Sequence, residues 1–209
     1  IINIAGSAME DYLETMEMLE STNGKHVGYE INISCPNVKE GGIEFGVNCD
    51  MTEKLTKEIR KRTDKLLIMK LAPNVTRIED IANAAELGGA DAISAINTVV
   101  GMGIDISNSR PRLSTTLGGL SGPAIKPIAI ANVYKIYRSV SIPIIGIGGI
   151  SKFEDVIEFI LAGATLVQIG TLNYSNPNIG IEINNKINKY CQNHNINLKD
   201  LIGQVKQHD

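Results

Sequence analysis

The chain has 209 residues, 43% of them apolar and 21% charged, with a formal net charge of −3. That balance fits one globular domain and excludes a fibrous or disordered chain. No basic run interleaves with aromatics as nucleic-acid binding would require, and no apolar stretch approaches the ~18–20 residues of a membrane span.

The chain opens on "IINIAGSAMEDYLETM", an apolar strand-like run with no initiator methionine and no signal-peptide pattern. Apolar spacing predicts a strand over Ile1–Ala5 and a helix over Ser7–Glu20. Strand Val27–Ser34 follows, then helix Met51–Arg62, strand Leu66–Leu71 and helix Arg77–Leu87. Strand Ala92–Asn97, helix Ile125–Tyr137, strand Ile142–Gly146, helix Phe153–Ala162, strand Leu166–Ile169 and helix Ile179–Gln192 complete the series. Strands alternating with helices predict parallel pairing through helical crossovers. The joints "ELGGADAISAIN" and "LAGATLVQIGT" repeat one plan: a helix end, Gly-Ala, a buried strand and a polar or glycine tip. Six such units fit an open doubly wound sheet, or a (β/α)8 TIM barrel with about six of its eight units present. The strand-like opening favours the barrel, a single domain over residues 1–209 whose missing units lie at the N-terminus. The charged run "EKLTKEIRKRTDK" reads as a solvated helix face. Two long connections, roughly 35–50 and 98–123, are candidate binding loops.

Barrel sites lie at strand C-terminal ends, where this chain places Gly6, Cys35, Lys70, Asn97, Gly148, Gly149, Gly170 and Thr171. "IPIIGIGGIS" and "LVQIGT" end the last two strands. Glycines there let backbone N–H groups approach an anion, and these loops are the usual phosphate site of such barrels. "GGLSGPAIKP" is a weaker glycine turn entering a helix. Lys70 ends "LLIMKLAP", where a lysine needs an anionic partner: a substrate carboxylate or the electron-rich edge of a cofactor ring. Asn97 and Thr98 offer donors and acceptors to a planar ring, or simply cap their strand.

Cys35 sits between Asn32 and Asn37 in "NISCPN". Most cysteines are small buried hydrophobes. Here a proline follows, the neighbours are polar, and no histidine is placed to pair with the thiol. That leaves a lone acid or base, with an ordinary thiol pKa of ~8.5. Cys49 and Cys191 read as structural or incidental. The three cysteines form no CxxC pair, which argues against a disulfide framework or a metal site and places the chain in the cytoplasm.

In this order, "NISCPN", "MKLAPN", "SAINTVVGMGIDI", "GGLSGPAIKPIA", "IPIIGIGGI" and "AGATLVQIGT" closely resemble the dihydroorotate dehydrogenase family. The match is to the catalytic subunit of the NAD-linked class 1B and runs from about Ile2 to the end. Cys35 itself points to the soluble class, since a serine stands there in the quinone-linked class. The resemblance implies a barrel holding FMN, with Cys35 as the base in the oxidation of dihydroorotate to orotate for pyrimidine biosynthesis. It implies substrate contacts at Asn32, Asn37, Asn97 and Thr98. It implies FMN contacts at Asn3, Asn32, Lys70 and Ile96, with Gly122, Gly148, Gly149, Gly170 and Thr171 at the phosphate. It also implies a homodimer joined to a second subunit, a heterotetramer in which that subunit carries FAD and a [2Fe–2S] cluster and passes electrons to NAD. The family's first two strands have no counterpart here, so a partial chain that binds FMN poorly by itself is expected. Three alternatives are a dihydropyrimidine dehydrogenase-like FMN domain, an inactive barrel fragment, and a phosphosugar-binding barrel without flavin. Asn37 argues against the first, because that family typically has histidine after "SCP".

Overall fold

The structure, a computed structural model, describes residues 1–22, 24–34 and 45–206. Six strands form one parallel sheet: β1 (Ile2–Ala5), β2 (Gly28–Asn32), β3 (Leu66–Leu71), β4 (Ala92–Ala95), β5 (Ile144–Ile147) and β6 (Leu166–Gln168). The helices are α1 (Met9–Ser21), α2 (Cys49–Arg60), α3 (Ile78–Leu87), α4 (Lys126–Tyr137), α5 (Phe153–Ala162) and α6 (Ile179–His194). Spatial order of the strands equals chain order. Crossovers of one hand then put every helix on the same side. A doubly wound sheet needs a reversal of strand order, with helices on both faces. This order excludes it.

The sheet is curled. Gln168 Nε2 on β6 donates to Glu30 Oε1 on β2 at 2.8 Å. Along a flat sheet those strands would lie roughly 19 Å apart, four spacings of ~4.8 Å, beyond the combined reach of the two side chains. The bond forms because the strands bend into an arc and both residues point into its hollow.

Period two sorts each strand between hollow and helices. On β2, Tyr29 and Ile31 turn outward, joined by Leu67, Met69 and Ile93, all fully buried against the helical layer. Each such apolar side chain contributes about 1.5–3 kcal/mol. The inward set holds a small apolar floor of Ile68, Ala92 and Ile145. Beside it stand Glu30, Asn32, Lys70, Ser94 and Gln168, a polar strip where barrel interiors are mostly branched and aliphatic. Helix α5 ends at Gly163 with φ +117°, and a Cβ there would meet the Tyr137 ring at 2.1 Å.

Several elements differ from the sequence expectation at their ends. The strand predicted to reach Asn97 stops at Ala95. Its backbone bonding continues past that point, with Ile96 N donating to Ile147 O and Asn97 N to Leu71 O, both at 2.9 Å. The long connection after Thr98 is not plain loop. Val99–Gly101 pairs antiparallel with Gly118–Leu120, and Ile104–Asp105 pairs with Arg110–Pro111. Two- and three-residue ladders are too short for periodicity to reveal. Among the described residues, no helix is long and apolar enough to cross a membrane.

A polar network closes the face opposite the strand tips. Glu20 at the end of α1 accepts from Lys65 Nζ at 2.5 Å and from the Thr63 and Tyr29 hydroxyls at 2.7 Å. Lys65 and these hydroxyls hold the Glu20 carboxyl down at about 2, below its usual 4.5. A carboxyl lowered on folding adds stability above its unfolded value, and that stability is lost as pH falls through the folded one. Urea titrations between pH 6 and pH 2 should therefore show stability falling from about pH 4.5 downward. Glu20→Gln should remove about 1–2 kcal/mol of that dependence, allowing for solvent screening of a partly exposed pair. A pH dependence identical in the variant would rule the network out as its source.

Candidate functional site

The C-terminal ends of β3 to β6 converge with the turn before α4 around a cleft of ≈320 Å³. That is at the lower end of the ~300–1,000 Å³ typical of small-molecule sites. Lys70 enters from β3, and Ile96, Asn97 and Thr98 from the end of β4. Gly148 and Gly149 come from the end of β5, Gly170 and Thr171 from the end of β6, and Gly122 from the turn. Seven of the nine positions expected to hold the cofactor thus line one cleft, with Asn97 and Thr98 of the substrate set.

The other two cofactor positions lie beside it. Asn3 on β1 donates from Nδ2 to Glu30 Oε2 at 2.7 Å. Asn32 meets the cleft through Asn97, whose Nδ2 donates to Asn32 Oδ1 at 2.9 Å. Asn97 Oδ1 in turn accepts from Thr98 N at 2.8 Å, so both ends of that amide are fixed. Cys35 and Asn37 lie outside the described residues.

One end of the cleft is built from backbone. Gly149 has φ +74°, and a Cβ there would stand 2.8 Å from both Gly122 O and Lys126 N. The Gly148–Ser151 turn and the turn before α4 are therefore packed main chain to main chain, which only glycine permits. A Cβ on Gly122 or Gly170 would meet nothing within 4 Å, so both backbones face open space. Thr171 Oγ1 donates to Ser121 Oγ at 2.9 Å and ties the β6 loop to the same turn. Backbone N–H groups exposed in such turns suit a phosphate or other anion.

Asp155 holds these turns in register. Its carboxylate is 1% exposed. Oδ2 accepts from Ser151 N, Ser151 Oγ and Lys152 N at 2.8–3.0 Å, and Oδ1 accepts from Lys126 Nζ at 2.7 Å. Burial pushes the Asp155 carboxyl up, and the bonds from Lys126 and Ser151 outweigh it, leaving it below the usual carboxylate range. The same bonds, to Asp155 and then Glu158, push Lys126 up. The β1–α1 turn repeats the device, with Asp11 Oδ2 accepting from Ser7 N and Ala8 N at 2.7 and 2.9 Å. The matching strings "SAMED" and "SKFED" signal it in the sequence.

The other end of the cleft is charged. Lys70 Nζ lies 3.9 Å from Glu30 Oε2, and among the described residues it has no hydrogen-bond acceptor. Glu30 escaped the sequence reading, although its period-two relation to Asn32 places it on the same face. Ser94, in register with Lys70, keeps a buried hydroxyl with no partner among the described residues. Asn74 was missed as well. Its amide spans Thr98 O at 3.2 Å and Val100 N at 3.0 Å, steadying the segment that carries Thr98.

A parallel arc of βα units with glycine turns over its last two strands defines an α/β protein built on the (β/α)8 plan. Comparison with known proteins places it more narrowly. The dihydroorotate dehydrogenase family model matches residues 1–191. "Dihydroorotate dehydrogenase B (NAD(+)), catalytic subunit" of Bacteroides thetaiotaomicron is 47% identical over 207 residues, covering 99% of this chain and 68% of that protein. Proteins of the same name from Porphyromonas gingivalis and Alkaliphilus oremlandii are each 49% identical, covering 98% of this chain and 67% and 68% of theirs. Among solved structures, dihydroorotate dehydrogenase from Eimeria tenella in complex with ferulenol superposes with a TM-score of 0.76. At 24% identity it supports the fold alone, and this chain spans 58% of its length. The chain belongs to the dihydroorotate dehydrogenase family.

Proposed function

We propose that the chain oxidises dihydroorotate to orotate in pyrimidine biosynthesis, with FMN in the cleft and electrons passed on to NAD through a partner subunit. The observation that carries this is the convergence of Lys70, Asn97, Thr98 and three glycine turns on one cleft. These residues fit FMN. The turns around Gly122, Gly148, Gly149 and Gly170 offer main-chain donors to its phosphate. Lys70 offers an ammonium with no acceptor among the described residues to the electron-rich edge of the ring. Ile96 lines the cleft between them, and Asn3 and Asn32 stand at its border.

When bound, FMN supplies the acceptor for the hydride that leaves C6 of dihydroorotate. Cys35 takes the proton from C5, so that a C5–C6 double bond forms and orotate results. Asn32, Asn97 and Thr98, with Asn37, hold the ring of the substrate. Asn97 is suited to this because its amide is already pinned at both ends, so little side-chain entropy is lost on binding. Lys70 keeps a positive charge where negative charge gathers during the transfer.

The relatives' name, a catalytic subunit, supports a second subunit, which we take to carry FAD and the [2Fe–2S] cluster beside a homodimer of this chain. The antiparallel arm at 99–120 offers a surface for such contacts, with Val100, Met102, Ile104, Leu117 and Leu120 all exposed. We take the setting to be cytoplasmic, in keeping with three cysteines that form no CxxC pair in the sequence.

Substrate choice is tested by offering dihydroorotate and dihydrouracil to the FMN-loaded protein with an artificial electron acceptor. Dihydroorotate should be oxidised and dihydrouracil should not. Preference for dihydrouracil would place the chain with the pyrimidine-reducing relatives instead.

A further inference from the structure

We propose that Glu30 is a positioning residue for Lys70, holding its ammonium at the cleft floor and tempering the positive field the flavin meets; this rests on FMN occupying the cleft. Glu30 is 5% exposed and points into the hollow of the arc. A carboxylate so placed is tolerated only with partners. It has three, each from a different strand: Asn3 on β1, Lys70 on β3 and Gln168 on β6.

The geometry separates their duties. The two amides take one oxygen each, at 2.7 and 2.8 Å, and fix the carboxylate plane. Lys70 stands at 3.9 Å, inside Coulomb range but outside hydrogen-bond range. Glu30 thus anchors the charge of Lys70 without consuming its N–H donors, which stay available to a ligand. Asn3 and Gln168 supply the hydrogen bonds that brace the sheet, and Lys70 and Glu30 supply each other with the opposite charge that a buried ion requires.

The test is the reduction potential of bound FMN in the full holoprotein, measured spectrophotometrically against reference dyes. In Glu30→Gln the positive charge of Lys70 is no longer offset, so electrons are held more tightly. The expected change is about tenfold in favour of reduced FMN, a positive shift of about 30 mV for a two-electron couple. Glu30→Asp keeps the charge one methylene further from the ammonium and should shift the potential in the same direction by less. In a Lys70→Met background the Glu30→Gln shift should shrink to the direct field of one lost carboxylate, because the part that depends on holding Lys70 is gone. Should Glu30→Gln fail to fold, the Asp variant and its cycle with Lys70→Met decide the matter alone.

An unchanged potential in the folded Glu30 variant, or a shift of undiminished size without Lys70, would overturn the proposal and leave Glu30 without a hold on Lys70. Failure of the unaltered protein to take up FMN would instead overturn the assignment of the cleft, a separate outcome.

Discussion

Cys35→Ala should lower the turnover of dihydroorotate by ~10²–10⁴-fold, the usual contribution of a positioned general base, while FMN stays bound. Strand β2 brings the chain to the strand-tip end of the arc, where the described residues run to Ser34. Tyr12 Oη lies 2.9 Å from Asn32 O, pinning the tip of β2 to α1. Ser34 Oγ donates to Lys70 O at 3.5 Å, so the last described residue before Cys35 lies against the strand that carries the cleft lysine. A thiol accepts a proton only as thiolate, so the rate with an artificial acceptor should rise with pH toward the ordinary thiol pKa of ~8.5. Cys35→Ser, a far weaker acid, should retain a small rate that continues to climb at higher pH. Retention of most of the turnover in Cys35→Ala would remove the cysteine from the chemistry.

Gly149→Ala should weaken FMN binding by about 10–100-fold and riboflavin binding much less. Two effects act together. The left-handed backbone at φ +74° disfavours any side chain, by about 1–3 kcal/mol. The new Cβ would also press on Gly122 O and Lys126 N at 2.8 Å. Both are main-chain atoms, so relief requires the two turns to part, and the phosphate donors part with them. Riboflavin lacks the phosphate, so it reports the rest of the cleft. Fluorescence titration with both ligands reads the ratio directly. Equal losses for the two would mean that these turns do not hold the phosphate.

Much of this was legible in the sequence, and the failures have physical reasons. Leu66–Leu71 and Phe153–Ala162 match their expected bounds, because each starts just after polar residues and is stopped by a breaker, Pro73 after the strand and Gly163 after the helix. Periodicity could not choose between a barrel arc and a doubly wound sheet, since both bury strands on two faces. Strand order and the Gln168–Glu30 bond across the hollow decided it. The glycine turns were visible because backbone approach to an anion selects glycine. What supports them was not. Asp155 reads as an ordinary first-turn acid of a helix, and only the fold brings Lys126 to it from another element. Glu30 sits inside an apolar strand, where the lysine nearest it in space is 40 positions away in the chain.

The central claim is one cleft holding a flavin that dihydroorotate can reduce. The most direct measurement is a visible absorption spectrum of the FMN-loaded protein under anaerobic conditions, before and after adding dihydroorotate. A bound flavin band should appear and bleach in proportion to the dihydroorotate added. A bound flavin whose band is unmoved by dihydroorotate, or a protein that takes up no FMN at all, would contradict that claim.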